Sequence, residues 1–305
     1  MNMRPLIRFV TLSSVILCST AVIADSLGWK LQENNNRLIE AQRQGGDHTA
    51  VAPVKVTYLG HMAFLITSPK GLKVVIDPWR NDPSGAWGLW FPQAFPPVVA
   101  DVVLSTHAHF DHDAISRTHG VTVHERLTGE LIIGDVKITG LADKHVCSAK
   151  GWYEWSESAA EFGQNFCPPE NFLHMDNFIQ VIETGGLKIV HWGDNRPQPA
   201  EHVKAALADV DVLILPVDDS AHLLDAEDIA DAIDRYAPSV VIPSHYRMPG
   251  LSSVLTTLAT AEKWLAAQPD VTKLDGPEIM LERDAIKELD AQVLYFGNHH
   301  ATGLK

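Results

Sequence analysis

The sequence predicts an α+β protein in which two mixed β-sheets pack face to face with helices outside. Two patterns carry that prediction. Short apolar β-type runs open each half of the chain, and strands then alternate with helix-type stretches. The third observation is composition: 305 residues, 46% hydrophobic and 20% charged, can bury one large core without disorder or fibrous repeats. No internal repeat and no long linker divides them.

The elements follow in order. Residues 26–43 place Leu27, Leu31, Leu38 and Ile39 on one helical face and end at Gly45-Gly46, which predicts a polar-rich helix. Strand-type runs come next at Val54–Leu59, Ala63–Thr67 and Leu72–Ile76, punctuated by Gly60 and by Pro69-Lys70-Gly71. A loop rich in Trp, Pro and Gly fills 78–97, and Val102–Ser105 reads as a buried strand. Further short strands are expected at Val121–His124, Leu131–Ile133 and Val136–Leu141. An irregular insertion spans 146–176, and strands resume at Phe178–Glu183, Leu187–His191, Val212–Leu215 and Val240–Pro243. Helices are expected over 199–208, 225–236 and 251–267.

The first segment is an address. Arg4 and Arg8 precede an apolar run from Phe9 to Ile23, and Val22 and Ala24 suit cleavage after Ala24. The run is short for a membrane span and is diluted by Ser13, Ser14, Ser19 and Thr20. Leu17 is too large for the residue before a lipidated Cys18. The reading is a signal peptide at 1–24, a helical segment at 25–50 and a domain from 51 to 305, exported and periplasmic, with no stable membrane insertion after cleavage. An uncleaved anchor is the alternative.

The whole chain carries a formal charge of −14, and removal of 1–24 leaves 22 basic against 38 acidic residues, formally −16. Such a surface repels phosphate backbones unless a basic stripe intervenes, and none is visible, which disfavours a nucleic-acid partner. Cys147 and Cys167 are the cysteines left after cleavage. In an oxidising compartment they either pair, closing a loop worth roughly 3 kcal/mol, or stay as two buried thiols.

The chemistry concentrates at His107-Ala108-His109-Phe110-Asp111-His112, directly after the strand Val102–Ser105. Four candidate ligands within six residues at a strand's carboxyl end are hard to explain by packing. Neutral imidazole and carboxylate oxygen suit zinc and similar ions.

His107-x-His109-x-Asp111-His112 resembles the signature of the metallo-β-lactamase-fold hydrolases. Val190-His191-Trp192-Gly193-Asp194 resembles the family's later strand-Gly-Asp element, and Val240 through Tyr246 resembles its late strand ending in a ligand histidine, here His245. Upstream, Leu59-Gly60-His61-Met62-Ala63-Phe64 and Ile76-Asp77-Pro78-Trp79 resemble the openings of the branch that contains ascorbate-6-phosphate lactonase-like proteins. The similarity covers about 54–250.

The resemblance implies a four-layer αββα sandwich and two divalent metal ions, zinc first, with manganese or iron as alternatives. One ion would take His107, His109 and a third histidine; the other would take Asp111, His112 and His245, with Asp194 bridging. The third histidine is His145, after Val136–Leu141, with His174 as its rival. Asp111 and Asp194 are therefore the candidate catalytic residues. A hydroxide shared by two such cations can attack near neutral pH while a metal polarises the scissile oxygen. No Gly-x-Ser-x-Gly elbow competes.

Other residues are candidates for substrate contact. His61 is expected near the site, with a structural hydrogen bond as its alternative. Asp77 either orients a ligand histidine or caps the turn at Pro78. His191 reads as strand packing, and Asp218, Asp219 and His222 as the mouth. Tyr246 and Arg247 follow His245, facing either substrate or solvent, and His299 and His300 read as solvated. Trp79, Trp87, Trp90 and Phe91 lie in one loop, and Trp152, Tyr153 and Trp155 in the insertion. They form either pocket walls or a lid over the sheet edges.

The function so implied is an exported dinuclear metal-dependent hydrolase acting on a small lactone, ester or phosphoester. An iron-dependent oxidoreductase on the same fold and a non-catalytic binding protein are the alternatives. The di-iron flavoprotein members of the family carry Glu where this chain has His109. The oligomeric state is left open.

Overall fold

A computed structural model describes residues 38–85, 87–146, 175–220 and 223–302. Residues 1–24, read as a signal peptide, the start of the helix expected over 26–43, Trp152, Tyr153, Trp155, Cys147, Cys167, His174 and His222 lie outside them, as do residues 147–174 of the expected insertion. Residues 38–44 form the end of the helix predicted over 26–43.

Valine- and isoleucine-rich runs become strands because branched side chains suit a pleated, half-buried surface. The first set is β1 (Val54–Gly60), β2 (Ala63–Thr67), β3 (Lys73–Ile76), β4 (Val98–Leu104) and β5 (Thr118–His124). Then come β6 (Gly129–Ile133), β7 (Val136–Lys144), β8 (Asp176–Thr184), β9 (Leu187–His191), β10 (Val212–Pro216) and β11 (Val240–Ser244). β12 (Val271–Lys273), β13 (Glu278–Leu281) and β14 (Gln292–Tyr295) complete the series.

They build two mixed sheets, ordered β13-β1-β2-β3-β4-β5 and β12-β14-β11-β10-β9-β8-β7-β6. In the first, β3, β4 and β5 are mutually parallel and the remainder antiparallel. In the second, β12, β14, β11, β10 and β9 are parallel, whereas β9 to β6 alternate in direction. β10 and β11 are buried at every position, as parallel strands covered on both faces must be. One contiguous apolar cluster draws on both sheets, from Val54 and Phe64 to Ile214 and Val293. The α+β two-sheet expectation holds.

The helices are few and short. Ala226–Tyr236 starts at a reciprocal box in which Asp225 accepts from Asp228 N at 2.8 Å and Asp228 accepts from Asp225 N at 3.3 Å. It turns Ile229, Ala232 and Tyr236 inward and stops at Ala237, just before Pro238. The stretch expected as a helix over 199–208 is helical over Glu201–Ala206.

The helix expected over 251–267 is a correction: only Glu262–Ala266 is helical. Upstream, hydroxyls capture the backbone donors. Ser252 Oγ accepts from Met248 N at 3.0 Å, Ser253 Oγ from Leu255 N at 3.0 Å and Thr256 Oγ1 from Leu258 N at 3.3 Å. Such local bonds compete with a helix. β12, β13, β14 and the turn of helix Arg283–Ile286 had no counterpart in the sequence reading. They are three or four residues long, and β13 exists by pairing with β1, β14 by pairing with β11.

At the centre of β7, Gly140 faces Gln180, and a Cβ there would overlap the carbonyl oxygen of Leu127. Gly140→Ala is therefore expected to cost about 2–3 kcal/mol by overpacking. Urea unfolding of the variant beside the parent chain measures it.

Candidate metal centre

The candidate ligands stand where strands end. Asp77 follows β3, His107 to His112 follow β4, Asp194 follows β9 and His245 follows β11; His61 sits in the tight β1–β2 turn and His145 at the end of β7. Carboxyl ends of parallel strands are where open α/β sheets bind ligands. Three of these residues have positive φ without being glycine: His61 at 59°, Asp77 at 50° and His245 at 63°. Non-glycine residues are held there when surrounding contacts over-determine them, a condition that clusters at functional sites. The His61 carbonyl shows such contacts, accepting from Tyr58 Oη at 3.0 Å and from His245 N at 3.0 Å.

Two groups form. His61, Asp111, His112 and His245 are one; His107, His109, His145 and Asp194 are the other; within each, the ligand atoms lie within 4.8 Å of one another. All are buried except half-buried His109. Asp194 Oδ2 links the groups, 3.7 Å from His107, 3.5 Å from His145, 3.3 Å from His112 and 3.6 Å from His245, at Nε2 in each case. Asp111 Oδ2 is 2.9 Å from His61 Nε2, 3.4 Å from His112 Nε2 and 3.5 Å from His245 Nε2.

Supporting bonds aim the rings. Fully buried Asp77 accepts from His112 Nδ1 at 2.8 Å, from Thr106 N at 2.7 Å and from Thr106 Oγ1 at 2.8 Å. Thr106 Oγ1 also lies 3.0 Å from His107 Nδ1. His145 Nδ1 donates to the Val146 carbonyl, which turns Nε2 toward Asp194. Asp194 N donates to Asn177 Oδ1 at 3.2 Å, and Asn177 in turn reaches Asn195 and the Trp192 carbonyl. Gly193 has φ +60°, and a Cβ on it would lie 2.7 Å from Asn177 Oδ1 and 2.9 Å from Thr106. Only glycine lets those two elements close around Asp194.

Burial dominates the electrostatics. It lowers His61 to about 4 and His109 to about 3, and with the charge of His112 it holds His107 well below the ordinary imidazole value. Burial alone would raise Asp111 and Asp194, but the charge of His112 and neighbouring imidazole hydrogen bonds outweigh it and hold both well below the carboxylate range. Burial would lower His112, yet Asp194, Asp111 and Asp77 hold it well above its usual value. Buried Asp77, Asp111 and Asp194 thus surround one protonated imidazole, His112, a cluster short of positive charge. Among the described residues, His112 Nε2 and Asp194 Oδ1 are buried without a hydrogen-bond partner. Both observations fit a site for divalent cations.

The structure brings His107, His109, Asp111, His112, His145, Asp194 and His245 together. His61, read as a substrate contact or structural histidine, instead stands in the group of Asp111, His112 and His245. A lone histidine behind a glycine carried no ligand spacing to reveal this. Trp79 is 1% exposed, donates Nε1 to the Leu59 carbonyl and lies tilted against Phe91 with ring centroids 4.4 Å apart, a core position that also borders a pocket with Arg80, Asn81 and Phe95. The aromatic rings near the centre are Phe91 and Trp90, 5.4 and 6.3 Å from His61, with Phe110 at 5.1 Å from Trp90. Trp87 is half-buried in a turn where its N donates to Asp82, and half-buried Arg247 donates its backbone N to Ala259. Asp219 accepts from Lys263 N and Trp264 N at the start of helix Glu262–Ala266 and, with Asp218, lines a pocket beside that helix, and His191 Nε2 lies 2.8 Å from the Met62 carbonyl. Thr106 and Asn177 escaped the sequence reading, because nothing local marks a hydroxyl or amide as a support for a distant ring.

Comparison with known proteins agrees with this geometry. A profile of the Beta-lactamase superfamily domain matches residues 55–245. A UPF0173 metal-dependent hydrolase of Thermus thermophilus is 29% identical over 206 residues, covering 63% of this chain and 84% of the relative. Another, of Methanosphaera stadtmanae, is 29% identical over 226 residues, covering 65% and 86%. A solved metallo-beta-lactamase superfamily protein of Thermotoga maritima aligns at a TM-score of 0.55 and 23% identity, over 79% of this chain and 98% of that one, which shows the fold.

Asp77→Asn would turn an amide N–H toward His112 Nδ1 and favour the tautomer that carries its proton on Nε2. Metal affinity is expected to fall about 10- to 100-fold, read by chelator competition with circular dichroism as the folding control. The metal-free chain should also lose stability as pH falls. His61, His107 and His109 have lowered values when folded, so between about 6.5 and 4 the unfolded chain binds more protons. Raised His112 acts above that window and the two carboxylates below it. Urea midpoints after chelation should therefore drop between pH 7 and pH 5.

Proposed function

This chain belongs to the metallo-β-lactamase superfamily of metal-dependent hydrolases, and from that premise we propose an exported enzyme that holds two divalent cations and hydrolyses a small lactone, ester or phosphoester. The observation that carries the reading is Asp194 Oδ2, 3.3 to 3.7 Å from ring nitrogens of both ligand groups. His61, Asp111, His112 and His245 would hold one ion; His107, His109 and His145 would hold the other, with Asp194 placed to serve both. Zinc is the proposed metal, with manganese and iron as alternatives, because an imidazole-rich set with carboxylates suits it. Such ions supply Lewis acidity, which activates water near neutral pH and polarises the scissile oxygen.

The chain's own residues do the rest. Burial keeps His61, His107 and His109 neutral, so their lone pairs are available as donors. Asp111 and Asp194 stay ionised and offset the charge of the cations. Asp77, through Thr106 and His112, fixes ring orientation across both groups. Phe91 and Trp90 keep bulk water from the His61 side, which strengthens every electrostatic interaction within. His109, half-buried, is the least buried of the candidate ligands.

The lean toward a lactone or ester rests on the similarity of the Gly60-His61 and Asp77-Pro78 segments to lactonase-like openings. Export rests on Arg4, Arg8, the apolar run and Ala24. Among the described residues no helix is long and apolar enough to cross a membrane.

Elemental mass spectrometry of the purified chain should find about two zinc or similar ions per chain, the stoichiometry of a two-metal site. Asp194→Ala should lose most of that metal and about 1,000-fold or more in turnover, the scale of removing charge stabilisation at a reacting centre, while staying folded. A metal-loaded, fully active variant would falsify the assignment.

A further inference from the structure

Two loops beside the metal centre are built without charge. Residues 87–97 and 248–261 contain no Asp, Glu, Lys, Arg or His, although the chain is 20% charged and carries −14 overall. They meet: Ser253 N donates to the Trp90 carbonyl at 2.7 Å and Gln93 Nε2 to the Gly250 carbonyl at 3.1 Å. Both reach the ligand segment, Trp90 and Phe91 through the His61 ring and Leu251 by packing on Gly60, where a Cβ would overlap it.

The second loop turns its polarity inward. The Ser252, Ser253 and Thr256 hydroxyls accept from its own backbone donors, while Val254 and Leu255 are 85% and 67% exposed. Leu89, on the first loop, is 46% exposed. Three of the nine large apolar residues exposed among those described therefore stand on these two joined loops. Scattered apolar side chains need no explanation, but a charge-free cluster continuous with a candidate active site marks a contact surface.

Recognition of a phosphoryl group asks for the opposite: cationic side chains in bidentate reach or a helix N-terminus. Of the two arginines beside these loops, Arg80 is paired with Asp113 at 2.9 Å, and Arg247, half-buried, is a single cation.

We infer that the substrate is a neutral carboxylic ester or lactone with an apolar chain, which lies along Leu89, Val254 and Leu255 while its carbonyl reaches the metal centre. The inference rests on the hydrolase reading above and narrows it. The reaction consumes one water: its oxygen bonds to the acyl carbon, the acyl C–O bond breaks, and the alcohol oxygen leaves with a proton, giving a carboxylic acid and an alcohol, or a hydroxy acid from a lactone.

The test uses the purified zinc-loaded chain with p-nitrophenyl acetate, butyrate and octanoate, γ-butyrolactone and γ-decanolactone, and bis(p-nitrophenyl) phosphate. Partial burial of each added methylene is expected to raise kcat/KM roughly twofold, so octanoate should exceed acetate by about tenfold or more. Leu255→Asp and Val254→Asp should each cut the octanoate-to-acetate ratio at least fivefold with metal content and melting midpoint retained. Ile132→Asp, at an equally exposed position on the edge strand β6, should leave the ratio unchanged. A flat chain-length series, or a ratio untouched by both variants, overturns the inference while leaving the hydrolase reading intact. So does faster turnover of the phosphodiester than of every ester. A dimer that dissociates in Leu255→Asp would assign the surface to contact between copies and also overturn it. No turnover of any probe by metal-loaded chain counts against the hydrolase reading itself.

Discussion

The structure depends on keeping two carboxylates ionised inside protein. Asp111 and Asp194 are 5% and 2% exposed, and Asp194 Oδ2 is ringed by four imidazole nitrogens. An isolated buried carboxylate would take up a proton rather than pay the desolvation cost. Here His112, itself held charged by three aspartates, prevents that for both. The surrounding imidazoles are the surplus that a cation would use. The same arrangement that makes the metal-free cluster costly fits it to divalent ions.

Placing those groups falls to two sheets that approach at one end. His61 comes from β1 in the first sheet and His245 from β11 in the second, and a backbone bond from His245 N to the His61 carbonyl joins them. Asp77 from β3 and Thr106 beyond β4 lock the rings of His112 and His107. Rigid strand ends therefore define the centre, whereas the flanking surface comes from loops. That division leaves the centre fixed while loops such as 87–97 and 248–261 are free to vary around it.

The local signal and the distant partner differ in how far a sequence can reveal them. His107, His109, Asp111 and His112 are legible because four ligand-type residues fall within one short loop. Asp194, His145 and His245 were reached through motif resemblance, since each is a single residue at the end of a different strand. His61 was expected near the site, and the structure stands it among Asp111, His112 and His245. Its partner Asp111 is fifty positions away and its neighbour His245 lies in the other sheet, so only the fold shows them touching. Trp79 stayed open between core and pocket because a loop tryptophan has the same sequence signature in either place.

By itself, the sequence determined the two-sheet α+β architecture, a loop dense in candidate metal ligands and a formal charge of −14, because strand runs, histidine spacing and charge are local or additive properties. Tertiary structure alone decided that His61 joins the second ligand group and that Asp77 and Thr106 steer rings from both groups. It also decided that 251–261 is an uncharged loop pressed against Trp90 and Gly60 rather than a helix. The physical reason is the same in each case: these outcomes depend on contacts between strands and loops far apart in the chain, and hydrogen bonds made there override what local propensity would choose.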